Sequence, residues 1–172
     1  SDAVDTELME RSADWVQYAL DLPMSHAPGT RWRYHQPSAF LLSAILTRTT
    51  GMSALDFARE QLFEPLGVSS SHWTASPEGL SYGFHELKLR PSDVASFGQL
   101  VLQGGRWHGQ QLVPEAWLED ATTAKVGGFY GYMWYRRAEL PGCAVAGGAR
   151  GQRLVVAPSQ DLVIVMTGGG PA

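Results

Sequence analysis

Through the first half of the chain, apolar residues recur at helical spacing. Between Thr6 and Leu20, Leu8, Trp15 and Ala19, with acidic residues early, predict an amphipathic helix that stops before Pro23. Pro28-Gly29 punctuates a turn over Ser25 to Arg33. Pro37 suits a first helical position, where its missing N–H costs nothing, and a helix from Ser38 to Thr50 follows, closed by Gly51. Ser53 followed by Asp56 is a capping pattern that starts another helix, with Leu55, Ala58 and Leu62 on one face and Pro65 and Gly67 at its end. Ser92 is placed to cap a helix whose inner face is Val94, Phe97 and Val101 and which ends at Gly104-Gly105; Pro114 to Ala121 makes a shorter one.

After Gly127 the character changes. Tyr130 to Arg136, Cys143 to Ala146, Gln152 to Ala157 and Leu162 to Thr167 are rich in β-branched and aromatic residues and read as strands. Pro158 to Asp161 is a connection of hairpin length, so at least part of the sheet is antiparallel. The 172 residues hold no repeat, low-complexity tract or linker and read as a single domain across 1–172.

Composition narrows the function classes. With 44% apolar and 17% charged residues the chain is of the globular type, and its apolar runs fall far short of the roughly 20 residues that cross a bilayer, so no membrane partner is expected. A net charge of -4 with scattered Lys and Arg argues against nucleic acid. The opening residues show neither a basic start nor an apolar signal stretch, but a cleaved signal leaves no trace, and the compartment stays open. The single Cys143 reads as a small apolar strand residue, and the five histidines show no ligand spacing, so neither metal nor cofactor is expected. No Gly-x-Ser-x-Gly elbow occurs.

One ordered set of words carries chemistry. Pro28-Gly29-Thr30-Arg31-Trp32-Arg33-Tyr34-His35-Gln36 is followed by Phe40 to Leu46, Thr50-Gly51-Met52 and Leu62-Phe63-Glu64-Pro65-Leu66-Gly67. Downstream come Leu87 to Asp93, Gly104 to Trp107, Leu112 to Trp117, Gly131 to Tyr135 and the final hairpin. From about residue 12 onward this resembles the β-lactamase-related serine hydrolases: class C β-lactamases, penicillin-binding D-Ala-D-Ala carboxypeptidases, carboxylesterases and nylon-oligomer hydrolases. The resemblance implies a transpeptidase-like α/β fold of α+β type, with helices packed on an antiparallel sheet and the segments Ser38 to Glu64 beside the cleft. It also implies an acyl-enzyme route for an ester, amide or lactam carbonyl.

In that family three motifs converge: Ser-x-x-Lys on a helix, Tyr-x-Asn on a loop, and Lys or His, then Thr or Ser, then Gly on a strand. A serine hydroxyl is a poor nucleophile until a nearby base takes its proton, and helical spacing of three puts the lysine amine on the hydroxyl's face. Tyr34 fits the tyrosine position, as a catalytic proton relay. Gln36 stands where Asn is usual, keeping an amide with a longer reach. Gly148-Ala149-Arg150-Gly151-Gln152 stands at the third motif, with Ala149 in place of the cation or aromatic residue and Arg150 in place of a small one. Arg150 and Gly151 are the substrate-binding candidates there, the backbone N–H groups being the oxyanion donors.

The Ser-x-x-Lys is absent. Lys88 and Lys125 are the only lysines, and His85 and Thr122 stand three residues before them; Thr122-Thr123-Ala124-Lys125 is the nearest imitation. The simplest account is a partial domain that begins after the nucleophile segment, C-terminal in a larger hydrolase and inactive alone. Its partners would be the N-terminal segment and a small carbonyl substrate, and an uncovered sheet face would make it self-associate. A pseudoenzyme or binding domain of the same fold is the second reading, favoured by Gln36, Ala149 and Arg150; an unrelated α+β binding domain is the third.

Overall fold

A computed structural model describes residues 2–169. The backbone gathers into two compact units, one of residues up to 64 with 69–88, the other of 65–68 with residues from 89 on.

The first unit opens with α1 (Asp2–Arg11) and α2 (Trp15–Asp21) where one continuous helix is predicted. Asp14 causes the break: its backbone is extended and its carboxylate accepts from the Gln17 N–H at 2.8 Å, while the Ser12 hydroxyl donates to the Met9 carbonyl at 2.7 Å. In an unbroken helix Met9 and Trp15 would point about 120° apart; the break lets both turn inward, and Leu8, expected inside, is exposed instead. Trp15 meets the Phe40 ring edge-on at 5.4 Å and Tyr82 at 5.0 Å. The Trp15 N–H is held at 2.7 Å by the Glu78 carboxylate. Burial would raise the Glu78 carboxyl, but hydrogen bonds from Ser76 and the Trp15 backbone together pull it below its ordinary value.

Helix α3 (Gln36–Thr50) ends as expected on Gly51, whose left-handed backbone returns its N–H to the Thr47 carbonyl at 2.8 Å. Ser53 caps α4 (Ala54–Ala58), which runs into a π-helical turn, Arg59–Phe63. Two short strands, β1 (His72–Trp73) and β2 (Leu87–Lys88), pair antiparallel.

The second unit is a helix-covered sheet. Its sheet takes the order β5-β6-β7, from β5 (Ala144–Gly147), β6 (Arg153–Ala157) and β7 (Leu162–Met166), all antiparallel. Helix α5 (Pro91–Leu102) lies on one face with Val94, Phe97 and Val101 inward as predicted, and Phe97 stacks on Trp134 at 6.2 Å. Ala144, Leu154 and Val156 form the buried layer beneath, together with Ala121 of α6 (Glu115–Thr122). A ribbon of β3 (Arg106–Trp107) and β4 (Gln110–Gln111) stands between the two helices in sequence. On β7 the side chains of Leu162, Ile164 and Met166 are exposed.

Two expectations are corrected here. The cap of α5 is Arg90, not Ser92, because Pro91 takes the first helical position and the Asp93 carboxylate reaches back to the Arg90 N–H at 3.2 Å. Tyr130 to Arg136 is a loop closed on itself by a Tyr130–Tyr135 bridge and joined to the sheet by a single bridge from Tyr135 to Val145, rather than a strand. Gly131 explains this, since a Cβ there would stand 2.2 Å from the Ala121 carbonyl oxygen; the chain must pass that close and then turn, with Met133 at a positive φ of 65°.

Gly98 sets the helix-to-sheet distance: a Cβ would come within 2.6 Å of Val163 and 2.7 Å of Leu154. Gly98→Leu is expected to lower stability by about 1–3 kcal/mol or more in urea unfolding; an unchanged midpoint would mean that α5 is not seated on β6 and β7. A second prediction concerns pH. The Arg90 side chain, hydrogen-bonded to Asp93, holds that carboxyl below its ordinary value, against the opposing effect of burial. Because the folded value is depressed, the stabilisation is fully present above the ordinary Asp range, about 4, and is lost as pH falls from there through the lower folded value. Asp93→Asn is expected to cost about 0.5–2 kcal/mol at neutral pH, the worth of a helix cap, and the gap to the parent chain is expected to shrink steadily as pH falls below about 4; a gap independent of pH would contradict this.

Candidate functional site

The Tyr34 segment is built by a turn, an extended stretch and a helix start. Thr30 closes the turn on the Ala27 carbonyl, through its N–H at 3.2 Å and its hydroxyl at 2.7 Å, with Gly29 at a positive φ of 78°. The chain then runs to His35, the extended N-cap of α3, whose ring Nδ1 lies 2.7 Å from the Ser38 hydroxyl.

Two carboxylates of α1 hold this segment. Asp2 Oδ1 accepts from the Gln36 N–H at 2.7 Å, serving as the cap that His35 does not supply to the backbone. Asp5 Oδ2 accepts from the Arg33 guanidinium at 2.9 Å and stands 4.0 Å from His35 Nε2. Tyr34 thus stands between two anchored neighbours; its ring lies 6.5 Å from that of Trp32 and the residue is 40% exposed. Asp2 and Asp5 were not predicted as site residues. Their only sequence signal was acidity in a first helical turn, which reads equally well as a dipole partner.

Arg150 and Gly151 belong to the second unit, whereas Tyr34 and Gln36 belong to the first. Both lie in the connection between β5 and β6, a single turn over Ala149–Gly151. Arg150 is exposed, in a left-handed conformation at φ 59°, and Gly151 follows at 89°. The loop is closed by the Gly148 N–H on the Gln152 carbonyl at 2.9 Å and by the Arg153 guanidinium on the carbonyls of Gly148 and Gln152, at 3.1 and 2.8 Å.

The Thr122-Thr123-Ala124-Lys125 imitation cannot do the work of Ser-x-x-Lys. It falls at the end of α6, where the Thr122 hydroxyl donates to the Leu118 carbonyl at 2.8 Å. The Lys125 ammonium is hydrogen-bonded to Asp120 and lies over the Tyr132 ring. The Asp120 hydrogen bond raises the lysine above its ordinary value, so it keeps the proton that a general base must lack. Lys88 faces Glu86 at 3.4 Å. Among the described residues no group of three His, Cys, Asp or Glu is placed to hold a metal, and no helix is long and apolar enough to cross a membrane.

Comparison with known proteins agrees with this frame. The family model described as Beta-lactamase matches residues 1–168, and the chain belongs to that family, whose fold is that of a serine-type hydrolase. Lovastatin esterase of Penicillium rubens is 31% identical over 91 residues, covering 52% of this chain and 22% of the esterase. A Bacillus anthracis protein provisionally named a 6-aminohexanoate-dimer hydrolase superposes with a TM-score of 0.81 at 21% identity, over 95% of this chain and 46% of its own. The penicillin binding protein of Bacillus halodurans does so with a TM-score of 0.65 at 14% identity, over 92% and 57%. The chain thus spans less than two thirds of each of these relatives, and the two solved structures establish the fold: helices with an antiparallel sheet, β-lactamase-like.

If α1 orders the Tyr34 segment, Asp2→Ala is expected to cost about 0.5–2 kcal/mol, as for a lost helix cap, and to speed amide exchange at Gln36. Unchanged protection of that amide would remove Asp2 from the account.

Proposed function

We propose that this chain carries the tyrosine side of an acyl-transfer site and that, by itself, it is hydrolytically silent. The single observation behind this is the pairing of an anchored, exposed Tyr34 with a sequence that holds no Ser-x-x-Lys. In a parent enzyme the serine attacks an ester, amide or lactam carbonyl, and Tyr34 carries the proton between the base and the leaving group. Gln36, two residues on in the same unit, is the group for holding the carbonyl. The resemblance to an esterase over 91 residues favours an ester among these substrates.

Residues 1–172 are then a partial domain whose missing partner is a segment with the nucleophile. The exposed Leu162, Ile164 and Met166 side chains support self-association of the chain alone. Sedimentation of a compact monomer that binds no apolar dye would count against that. A pseudoenzyme of the same fold is the second reading. It is supported by Gln36, Ala149 and Arg150, each a departure from the motif residues.

The gene and an assay separate the two. An upstream in-frame Ser-x-x-Lys, with turnover of nitrophenyl butyrate or a chromogenic lactam by the longer product, supports the hydrolase; its absence supports the pseudoenzyme. In that longer product Tyr34→Phe is expected to lower kcat by about 10²–10⁴ with little change in KM, the worth of a general acid–base group. Undiminished turnover would take Tyr34 out of the mechanism.

A further inference from the structure

Beside the Tyr34 segment, wholly within the first unit, lies a cavity of about 910 Å³. Its wall includes Trp32, Arg33 and His35 but not Tyr34 or Gln36, so the relay proposed above does not account for it. Part of the lining is apolar: Leu20, Leu22, Met24 and Leu41 contribute to it, and Leu20 and Met24 are 61% and 74% exposed. Two long apolar side chains so open to water, one from the end of α2 and one from the turn after it, leave a surface that an apolar ligand would cover.

The same lining carries charge. Arg31, Arg33 and Asp5 all line the cavity, two cations against one anion, which leaves one positive charge with neutral histidines. Arg33 is the neutralised partner, bound to Asp5 at 2.9 Å. Arg31 has no ion pair among the described residues; its contact is with His26 Nε2 at 3.2 Å. A guanidinium only donates, so Nε2 accepts, the ring proton sits on Nδ1, and that N–H points to the Ser25 hydroxyl at 3.0 Å. The Ser25-His26 pair therefore orients Arg31 without cancelling its charge, and most of its N–H groups stay available.

We infer that this cavity binds a monocarboxylate on an apolar chain, with Arg31 as the anchor for the head group. One surplus cation with a planar fork matches one carboxylate, and the apolar lining residues take the chain. The site stands apart from the acyl-transfer reading, because holding a carboxylate needs no nucleophile, and a failure of either leaves the other untouched.

Titration calorimetry on the 172-residue chain tests it with octanoate, octan-1-ol and octylammonium. Octanoate is expected to bind at one site per chain, at least about tenfold more tightly than octan-1-ol, the difference made by a charge-assisted hydrogen-bonded pair; octylammonium is expected to bind more weakly still. Arg31→Gln is expected to bring octanoate down to the level of octan-1-ol, Arg31→Lys to keep part of the preference, and Arg48→Gln, on α3 outside the cavity, to change nothing. Circular dichroism checks that each variant stays folded, and the Trp32 indole N–H resonance is expected to move on titration with octanoate. Absence of octanoate binding, equal affinity for acid and alcohol in the parent chain, a preference surviving in Arg31→Gln, or a Trp32 signal that does not move would each overturn the inference.

Discussion

Asp2 and Asp5 stand three residues apart at the start of α1, so their carboxylates share a face of that helix, and both turn to the same short segment. One binds the Gln36 N–H and the other the Arg33 guanidinium, on either side of Tyr34. A tyrosine at the mouth of a helix would otherwise sit on a chain with unsatisfied N–H groups and free torsions. The clamp holds the backbone on either side of the phenol, which reduces the reorganisation a proton relay would need to meet a reacting oxygen. Each bond alone is modest; the Arg33 and Asp5 pair is only partly shielded from water and is worth about 0.2–1 kcal/mol. Their value lies in geometry.

A relay phenol is one part of a three-part device. The hydroxyl that attacks and the amine that takes its proton must lie within a hydrogen bond of each other, and the amine must be unprotonated when it acts. Neither lysine of the chain has a serine three residues before it, the places being held by His85 and Thr122. Lys125 is raised by Asp120, and Lys88 is opposite Glu86. The same Tyr34 thus serves a hydrolase or nothing, according to what is brought to it, and family membership by itself does not decide between the two.

Much of the fold was legible in the sequence because local signals agreed with tertiary demands. Pro37 and Gly51 bracket α3, Ser53 caps α4, and the β-branched-rich runs Leu154 to Val156 and Leu162 to Met166 give two strands of the sheet. The failures share a cause: contacts between distant residues override local pattern. Asp14 splits the first helix so that Met9 and Trp15 can both be buried. Gly131 must pass the Ala121 carbonyl, so an aromatic run that reads as a strand becomes a loop. The two-residue ribbons are shorter than any periodicity can register. At the site, Tyr34 was visible through its neighbours in sequence, whereas Asp2 and Asp5 act across some thirty residues, a distance that no spacing rule along the chain covers.

The central claim is that a held tyrosine without the serine and lysine has no covalent chemistry. Intact mass spectrometry of the purified chain after exposure to a fluorophosphonate probe tests it most directly. The account predicts an unmodified mass at every serine; stoichiometric addition of one phosphonyl group to any of them would contradict it.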